Sequence, residues 1–513
     1  MSDATRRLSI AFAAGALLSF GCSSGGGGAQ PSDARLDADA ANAGAGGTAA
    51  SGSGGKLPSG TGGAGGKLGT GGAGAGGAAG AGGAGTGGAG AGGAGAGGAG
   101  AGGMGGGSSG GFFDDLVSPS GGMTVAIDAS GAINVAASAN VSGFKVFYGR
   151  CASQCDRPTS WSRIVLPYEA DTTHAPTIAL TANGRPRILY ATIASGAQGY
   201  HYLECDAACD QAASWHDVRL TTDFPSATIL PAPREPFAVS PSGGAAFVVS
   251  NNGNELDVWF CGSSCALGSS WTRVPLAGTY VYPDGVAFGA DEDLQVIATH
   301  DLGKQASLMW FDCSGGCSSI ANWVYLDGLW VARGDFQAQV KAALARTAQG
   351  GTRILFDSGD IGSTLDQHVF GYLGCDSSCR NGQSWRQPVQ VPLAGDAVRS
   401  GFGFALDGAG QPFIATLDLL TSSYVRCTGD CTSTSGQWSM GPSVGVSDLN
   451  ALLPPLPPAS CVSASWEMYV GPDLAFDPLG KPVIAFTAST RAYGGECAMG
   501  SDSITTDSFL YSD

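Results

Sequence analysis

Cys205-Asp206-Ala207-Ala208-Cys209-Asp210-Gln211-Ala212-Ala213-Ser214-Trp215 decides the fold, because its spacing returns along the chain. Cys-x-x-x-Cys followed by Trp stands at Cys151/Cys155/Trp161, Cys205/Cys209/Trp215, Cys261/Cys265/Trp271, Cys313/Cys317/Trp323, Cys375/Cys379/Trp385 and Cys427/Cys431/Trp438. The gap from second Cys to Trp is six residues five times and seven in the last copy. First cysteines follow one another by 54, 56, 52, 62 and 52 residues. Such a period is one supersecondary unit copied in a row, and its length suits four-stranded propeller blades.

The residues around Cys205 read as four strands. Pro176 to Leu180 and Pro186 to Tyr190 are short apolar runs joined by the turn former Asn183-Gly184. Tyr200 to Glu204 leads into Cys205, and Trp215 to Leu220 follows the cysteine turn. Each run is strand-length, β-rich and bounded by turn formers. Equivalent first turns stand at Asp128–Gly131, Asp407-Gly408 and Asp477–Gly480. Asp335 to Ala348 scores as an amphipathic helix, but the repeat register makes it a first strand.

The expected fold is therefore all-β: a seven-bladed β-propeller of four-stranded antiparallel blades over 112–513. Its units lie near 122–169, 174–223, 236–278, 284–329, 336–394, 399–446 and 472–513. The seventh has strands at Leu474–Phe476, Val483–Phe486 and Ser508 to Tyr511 but no Trp-led fourth. Phe112-Phe113-Asp114-Asp115-Leu116-Val117 looks like Trp215-His216-Asp217-Val218, with Phe in the Trp slot. That N-terminal strand is expected to complete the last blade, which closes the ring and removes an exposed edge.

Ahead of the repeats, residues 1–22 read as a secretory signal: Arg6 and Arg7, an apolar run from Leu8 to Phe20, then Gly21-Cys22-Ser23-Ser24. The run is short for a membrane span. The segment resembles a bacterial lipoprotein signal, which implies lipidation of Cys22 and anchoring to the outer membrane or cell surface. The resemblance departs in one place, since Leu18 lies four residues before the cysteine where that family has Leu at three. An ordinary cleaved signal is the alternative. Residues 23–111 are dominated by Gly, Ala, Ser and Thr, a composition that cannot bury enough apolar area to offset chain entropy. They are expected to form a disordered tether spanning about 50 Å. Gly66-Lys67 and Gly55-Lys56 imitate the end of a phosphate loop, but Leu68 and Leu57 follow in place of Ser or Thr. Nucleotide binding is not expected.

The chain carries 25 basic and 42 acidic residues, of which 112–513 holds 20 and 38. This acidic balance argues against nucleic acid or anionic lipid as partner of the folded region. Fifteen cysteines less Cys22 leave fourteen. An exported compartment permits disulfides. Local bridges Cys151–Cys155, Cys205–Cys209, Cys261–Cys265, Cys313–Cys317, Cys375–Cys379 and Cys427–Cys431 are favoured over zinc half-sites, since the chain has only five His. Cys461 and Cys497 remain. Both fall on the face opposite the cysteine turns, so Cys461–Cys497 is expected as a seventh bridge.

Ser378-Cys-Arg-Asn-Gly382-Gln-Ser384-Trp385 resembles the Asp-box of sialidase-like (BNR-type) propellers, Ser-x-Asp-x-Gly-x-Thr-Trp. Ser264-Cys-Ala-Leu-Gly268-Ser-Ser270-Trp271 fits the same frame. Asp156 and Asp210 fill the Asp slot in units 1 and 2, where the Gly slots hold Pro158 and Ala212. The resemblance touches the hairpins alone. It implies a folding element remote from any active site, with the six Trp packed between sheets. Sialidases also need an arginine triad, an acid/base Asp and a Tyr–Glu nucleophile pair. Their Phe-Arg-Ile-Pro motif is absent, and nothing marks Arg163, Arg187 and Arg353 as convergent. No catalytic residue is assigned.

The face opposite the cysteine turns carries the irregular segments: Ser447–Gly471, with its stiff Leu452-Leu-Pro-Pro-Leu-Pro-Pro458 run, and Asp357–Gln367. Trp466, Tyr469 and Tyr493 are candidates to stack on a sugar ring or pack on a peptide. Asp357, Asp360 and Asp366 are candidates to bind a cation such as Ca²⁺. Loop packing and a solvated acidic face are the structural alternatives. No other cofactor or metal is expected. The leading reading is a surface-tethered propeller, expected to be a monomer, acting as a binding or scaffold module for glycan or protein. A sialidase-like glycosidase or lyase, and a purely structural envelope protein, are the alternatives.

Overall fold

The computed structural model describes residues 109–113, 122–140, 143–155, 157–170, 175–192, 198–221, 236–251, 255–302, 305–333, 341–359, 368–393, 402–417, 421–445, 463–493 and 506–512. Cys22, Asp360, Asp366, Cys461, Cys497 and residues 23–108 of the expected tether lie outside them, whereas Ser109 to Gly111, expected as tether, form strand.

Strand β1 (Ser109–Phe113) precedes the first blade in the chain and is not part of it. The first blade is β2 (Met123–Ile127), β3 (Ile133–Asn140), β4 (Phe144–Cys151) and β5 (Trp161–Glu169). The second is β6 (Thr177–Leu180), β7 (Pro186–Thr192), β8 (Gly199–Glu204) and β9 (His216–Arg219). The third is β10 (Phe237–Val239), β11 (Ala245–Ser250), β12 (Glu255–Cys261) and β13 (Thr272–Thr279). The fourth is β14 (Val281–Phe288), β15 (Leu294–Asp301), β16 (Gln305–Cys313) and β17 (Trp323–Leu326), with β18 (Val331–Arg333) also paired to β16. The fifth is β19 (Lys341–Arg346), β20 (Thr352–Gly359), β21 (His368–Cys375) and β22 (Val389–Val391). The sixth is β23 (Phe402–Leu406), β24 (Pro412–Leu417), β25 (Thr421–Thr428) and β26 (Gln437–Gly445). Each is an antiparallel sheet in chain order. The fold is an all-β propeller of four-stranded antiparallel blades, and within Asp335 to Ala348 the described Lys341–Arg346 form a strand, as the repeat register requires.

Six of the expected units are thus self-contained. The remaining sheet is composite, in the order β1-β29-β28-β27, from β27 (Ser463–Phe476), β28 (Pro482–Tyr493) and β29 (Thr506–Ser512). Two expectations change here. The paired N-terminal stretch is Ser109–Phe113, not Phe112–Val117, and Phe112 stands opposite Phe509. In three other blades the Trp stands opposite the first cysteine, at Cys151↔Trp161, Cys313↔Trp323 and Cys427↔Trp438. No cysteine turn ties β29 to β1, so only the ladder sets their register. The second change is at Ser447–Gly471: its last part is not loop but the start of the long strand β27.

The apolar core is divided among the seams between sheets. Tyr148, Ile178, Ile188, Leu203 and Trp215 fill the seam between the first and second blades. Met123, Val125 and Phe147 of the first blade pack with Val483 and Ala485 of β28. The recurring Trp packs against the preceding blade, edge-on to Tyr148 (Trp215, centroids 5.0 Å), Tyr202 (Trp271, 5.1 Å), Trp310 (Trp385, 5.4 Å) and Tyr372 (Trp438, 5.6 Å). Each of those partners lies three residues before its own blade's first cysteine.

All six local disulfides are formed, with Cα separations of 5.6–5.9 Å. They belong to an oxidising, exported environment. No helix among the described residues is long and apolar enough to cross a membrane.

Candidate functional site

The turn face is built on a shared frame. The residue before the second cysteine adopts a left-handed conformation at Gln154, Ala208, Ser264 and Ser378, with φ between 52° and 57°, and glycine fills the slot at Gly316. A 3₁₀ turn follows, and the Trp Nε1–H then donates to the second cysteine's carbonyl: Trp161 to Cys155 (3.1 Å), Trp215 to Cys209 (3.0 Å), Trp271 to Cys265 (2.9 Å), Trp323 to Cys317 (3.1 Å) and Trp385 to Cys379 (2.8 Å). The sixth copy has one residue more. There Trp438 Nε1 is buried with no partner among the described residues.

Around this constant frame the side chains differ from blade to blade. The residue before the first cysteine is Arg150, Glu204, Phe260, Asp312, Gly374 or Arg426. Arg150 reaches Asp128 at 3.2 Å. Glu204 accepts from the Tyr202 hydroxyl at 3.0 Å. Asp312 accepts from Gln295 at 2.9 Å and, across the seam, from Arg380 Nε at 2.6 Å. Arg380 stands in the Asp slot of the Asp-box-like frame, so the frame is reused here to clamp two blades together.

Two clefts lie between blades on this face. One, of about 270 Å³, lies between the third and fourth blades and includes Ser242, Phe260, Phe288 and Glu292. The other, of about 330 Å³, lies between the fifth and sixth and is lined by residues including Arg353, Tyr372, Asp376, Gln411, Asp430 and Thr432. An alternating ion chain runs beside it. Arg353 Nη2 meets Asp376 Oδ1 at 2.6 Å, and Asp376 Oδ2 meets Arg386 Nη2 at 3.2 Å. Arg386 Nη1 meets Asp430 Oδ2 at 2.6 Å, and Asp430 Oδ1 accepts from Thr432 Oγ1 at 2.9 Å. The Arg386 hydrogen bond holds the Asp430 carboxyl below the usual carboxylate value.

The opposite face is different from what the sequence suggests. Asp357 is buried inside β20, opposite Lys341 in the ladder, so it is a strand residue and not a loop ligand. Lys341 also feels Asp284, a bulged residue of β14. Asp284 Oδ2 accepts from Thr299 Oγ1 at 2.6 Å and its Oδ1 from the Ala342 amide at 3.1 Å. Burial pushes the Asp284 carboxyl up to about 7 and the Lys341 ammonium down. Among the described residues no group of three His, Cys, Asp or Glu is placed to hold a metal ion. Trp466 lies in β27 opposite Thr490, and Tyr493 in β28 opposite Ser463, while Tyr469 falls at a register shift. All three are on strands rather than in loops. Arg187 donates to the Pro186 and Cys205 carbonyls and Asp206, and Arg353 to the Thr352 and Cys375 carbonyls and Asp376. Each is engaged within its own blade.

No family model and no curated protein sequence matches the chain. Among solved structures it is similar to a fungal alcohol oxidase of the AA5 family in complex with copper, at 12% identity over 78% of this chain and 75% of that one (TM-score 0.43). The Aleuria aurantia lectin bound to Fucα1-6GlcNAc is similar at 12% identity over 64% and 96% (TM-score 0.39). The NanB sialidase from Streptococcus pneumoniae is similar at 12% identity over 78% and 70% (TM-score 0.37). The sheet order described above, not these likenesses, defines the fold.

Proposed function

We propose that the chain is an exported β-propeller acting as a binding or scaffold module for glycan or protein at the cell surface. In this reading Cys22 carries a lipid anchor, residues 23–108 form the tether ahead of β1, and Cys461–Cys497 is a seventh disulfide. The composite sheet serves as a seventh blade.

The observation that carries the reading is the slot before the first cysteine. Cysteines and tryptophans repeat, as a purely structural array requires. The slot on the same rigid face instead holds Arg, Glu, Phe, Asp and Gly, and clefts lie between the third and fourth and between the fifth and sixth blades. Side chains that differ from copy to copy on a recurring rigid frame are how repeat folds present binding chemistry.

The test is a glycan and peptide array probed with the purified exported chain. Reproducible capture of a defined glycan or peptide is expected. No capture on either array would overturn the proposal.

A further inference from the structure

Tyr372 is fully buried, and the Arg353 guanidinium set against its hydroxyl is a donor, so the hydroxyl proton has no acceptor among the described residues. Two other blades show what it lacks. In the first, the equivalent Tyr148 donates to Asn134 Oδ1 at 2.8 Å. In the second, Tyr202 donates to Glu204 Oε2 at 3.0 Å. The fifth blade places Arg353 where Asn134 stands and Gly374 where Glu204 stands. The first is a donor only and the second has no side chain. A buried hydroxyl left without an acceptor is destabilising, and here Tyr372 lines the cleft between the fifth and sixth blades. A Cβ at position 374 would stand 2.6 Å from Thr432 Cγ2 and 3.1 Å from Arg353 Cδ, both cleft residues.

We propose that the cleft between the fifth and sixth blades is a subsite for one neutral sugar residue, with the Tyr372 hydroxyl donating to a sugar oxygen and the Asp376 and Asp430 carboxylates accepting from sugar hydroxyls. This rests on the binding function proposed above and names its ligand class. The volume, about 330 Å³, is at the lower end for small-molecule sites. Arg353, Asp376, Arg386 and Asp430 neutralise one another pairwise, so a charged ligand would have to break an existing ion pair. A hydroxyl both donates and accepts, which matches an orphan donor beside two carboxylates. The lining holds Thr, Gln, Gly, Asp and Arg but no large aliphatic side chain, so it has no seat for an apolar peptide anchor.

The experiment is ligand-observed NMR and calorimetry on the full exported chain with galactose, glucose, mannose, fucose and N-acetylglucosamine, and with glucuronic acid as the anionic probe. At least one neutral sugar is expected to bind. Tyr372→Phe, which keeps the ring, should weaken it ~tenfold or more. Gly374→Glu, which restores the second blade's acceptor and fills the space, should abolish it. Tyr372→Phe should melt no lower than the parent, because it removes an unsatisfied group. Sugar binding unchanged in Tyr372→Phe overturns the subsite, as does binding of glucuronic acid alone or of no sugar. Array capture that survives Tyr372→Phe leaves the binding function standing; blank arrays remove both.

Discussion

Trp215 and Trp438 occupy the same slot in their blades but bond differently. Trp215 donates to the Cys209 carbonyl, whereas the extra residue before Trp438 leaves its N–H buried and unpaired among the described residues. Trp215→Phe should therefore cost about 1 kcal/mol more than Trp438→Phe, read as the shift of the urea midpoint. Equal shifts would show that the indole bond contributes nothing. Asp284 makes a second residue-scale prediction. Its folded-state value of about 7 lies above the ordinary 3.8, so the folded chain keeps a proton that the unfolded chain has released. Its contribution to stability is full below about pH 4 and is lost as pH rises through about 7. Asp284→Asn should stabilise at pH 8 by on the order of 1–3 kcal/mol, with the gain vanishing near pH 4. A pH-independent difference in melting temperature would contradict this. The Trp slot was legible because its spacing from cysteine is fixed within one turn. Asp284 was not, because its partner Ala342 belongs to the next blade. Asp357 was misplaced because β20 runs on through the turn formers Asp357-Ser358-Gly359, which locally read as the start of a loop.

At the scale of the element, the cysteine turn is a pinned hairpin. Its tight bridge closes a short ring around a residue in left-handed conformation, which a non-glycine side chain disfavours. Replacing Cys205 and Cys209 together by Ala should lower stability by about 2 kcal/mol in the chain-entropy picture. Guanidinium denaturation of that variant, compared with the parent, measures it. No loss would mean that the Trp215 contact alone holds the turn. Strand existence and order within a unit were legible from turn formers and alternation, including the strand at Lys341–Arg346 that also scores as helical. Register across distant segments was not. β1 pairs three residues earlier than the Phe–Trp likeness suggests, because a ladder without a turn has no local anchor. The start of β27 was hidden by the proline-rich stretch before it.

For the whole molecule, closure depends on the seam between β27 and β2. The innermost strands β2, β6, β10, β14, β19, β23 and β27 touch in that order, and β27 touches β2. Asp473 in β27 accepts from the Val125 amide at 2.8 Å, as Asp284 accepts from Ala342 and Thr124 Oγ1 from the Ile178 amide at 3.0 Å. The closing seam thus repeats a stitch used between blades adjacent in sequence. Asp473→Ala should destabilise by about 1–3 kcal/mol through the unpaired Val125 amide, read as a lower urea midpoint. The composite sheet as the blade that closes the ring is part of the proposed reading, and the four-stranded antiparallel blades were legible from the repeat. The stitch was not, because nothing local marks Asp473 as facing Val125. Hydrogen exchange at the Val125 amide tests closure without perturbing it. A closed ring predicts exchange as slow as at Ile178 and Ala342, whereas exchange at the rate of an exposed turn amide, with those two still protected, would show an open array.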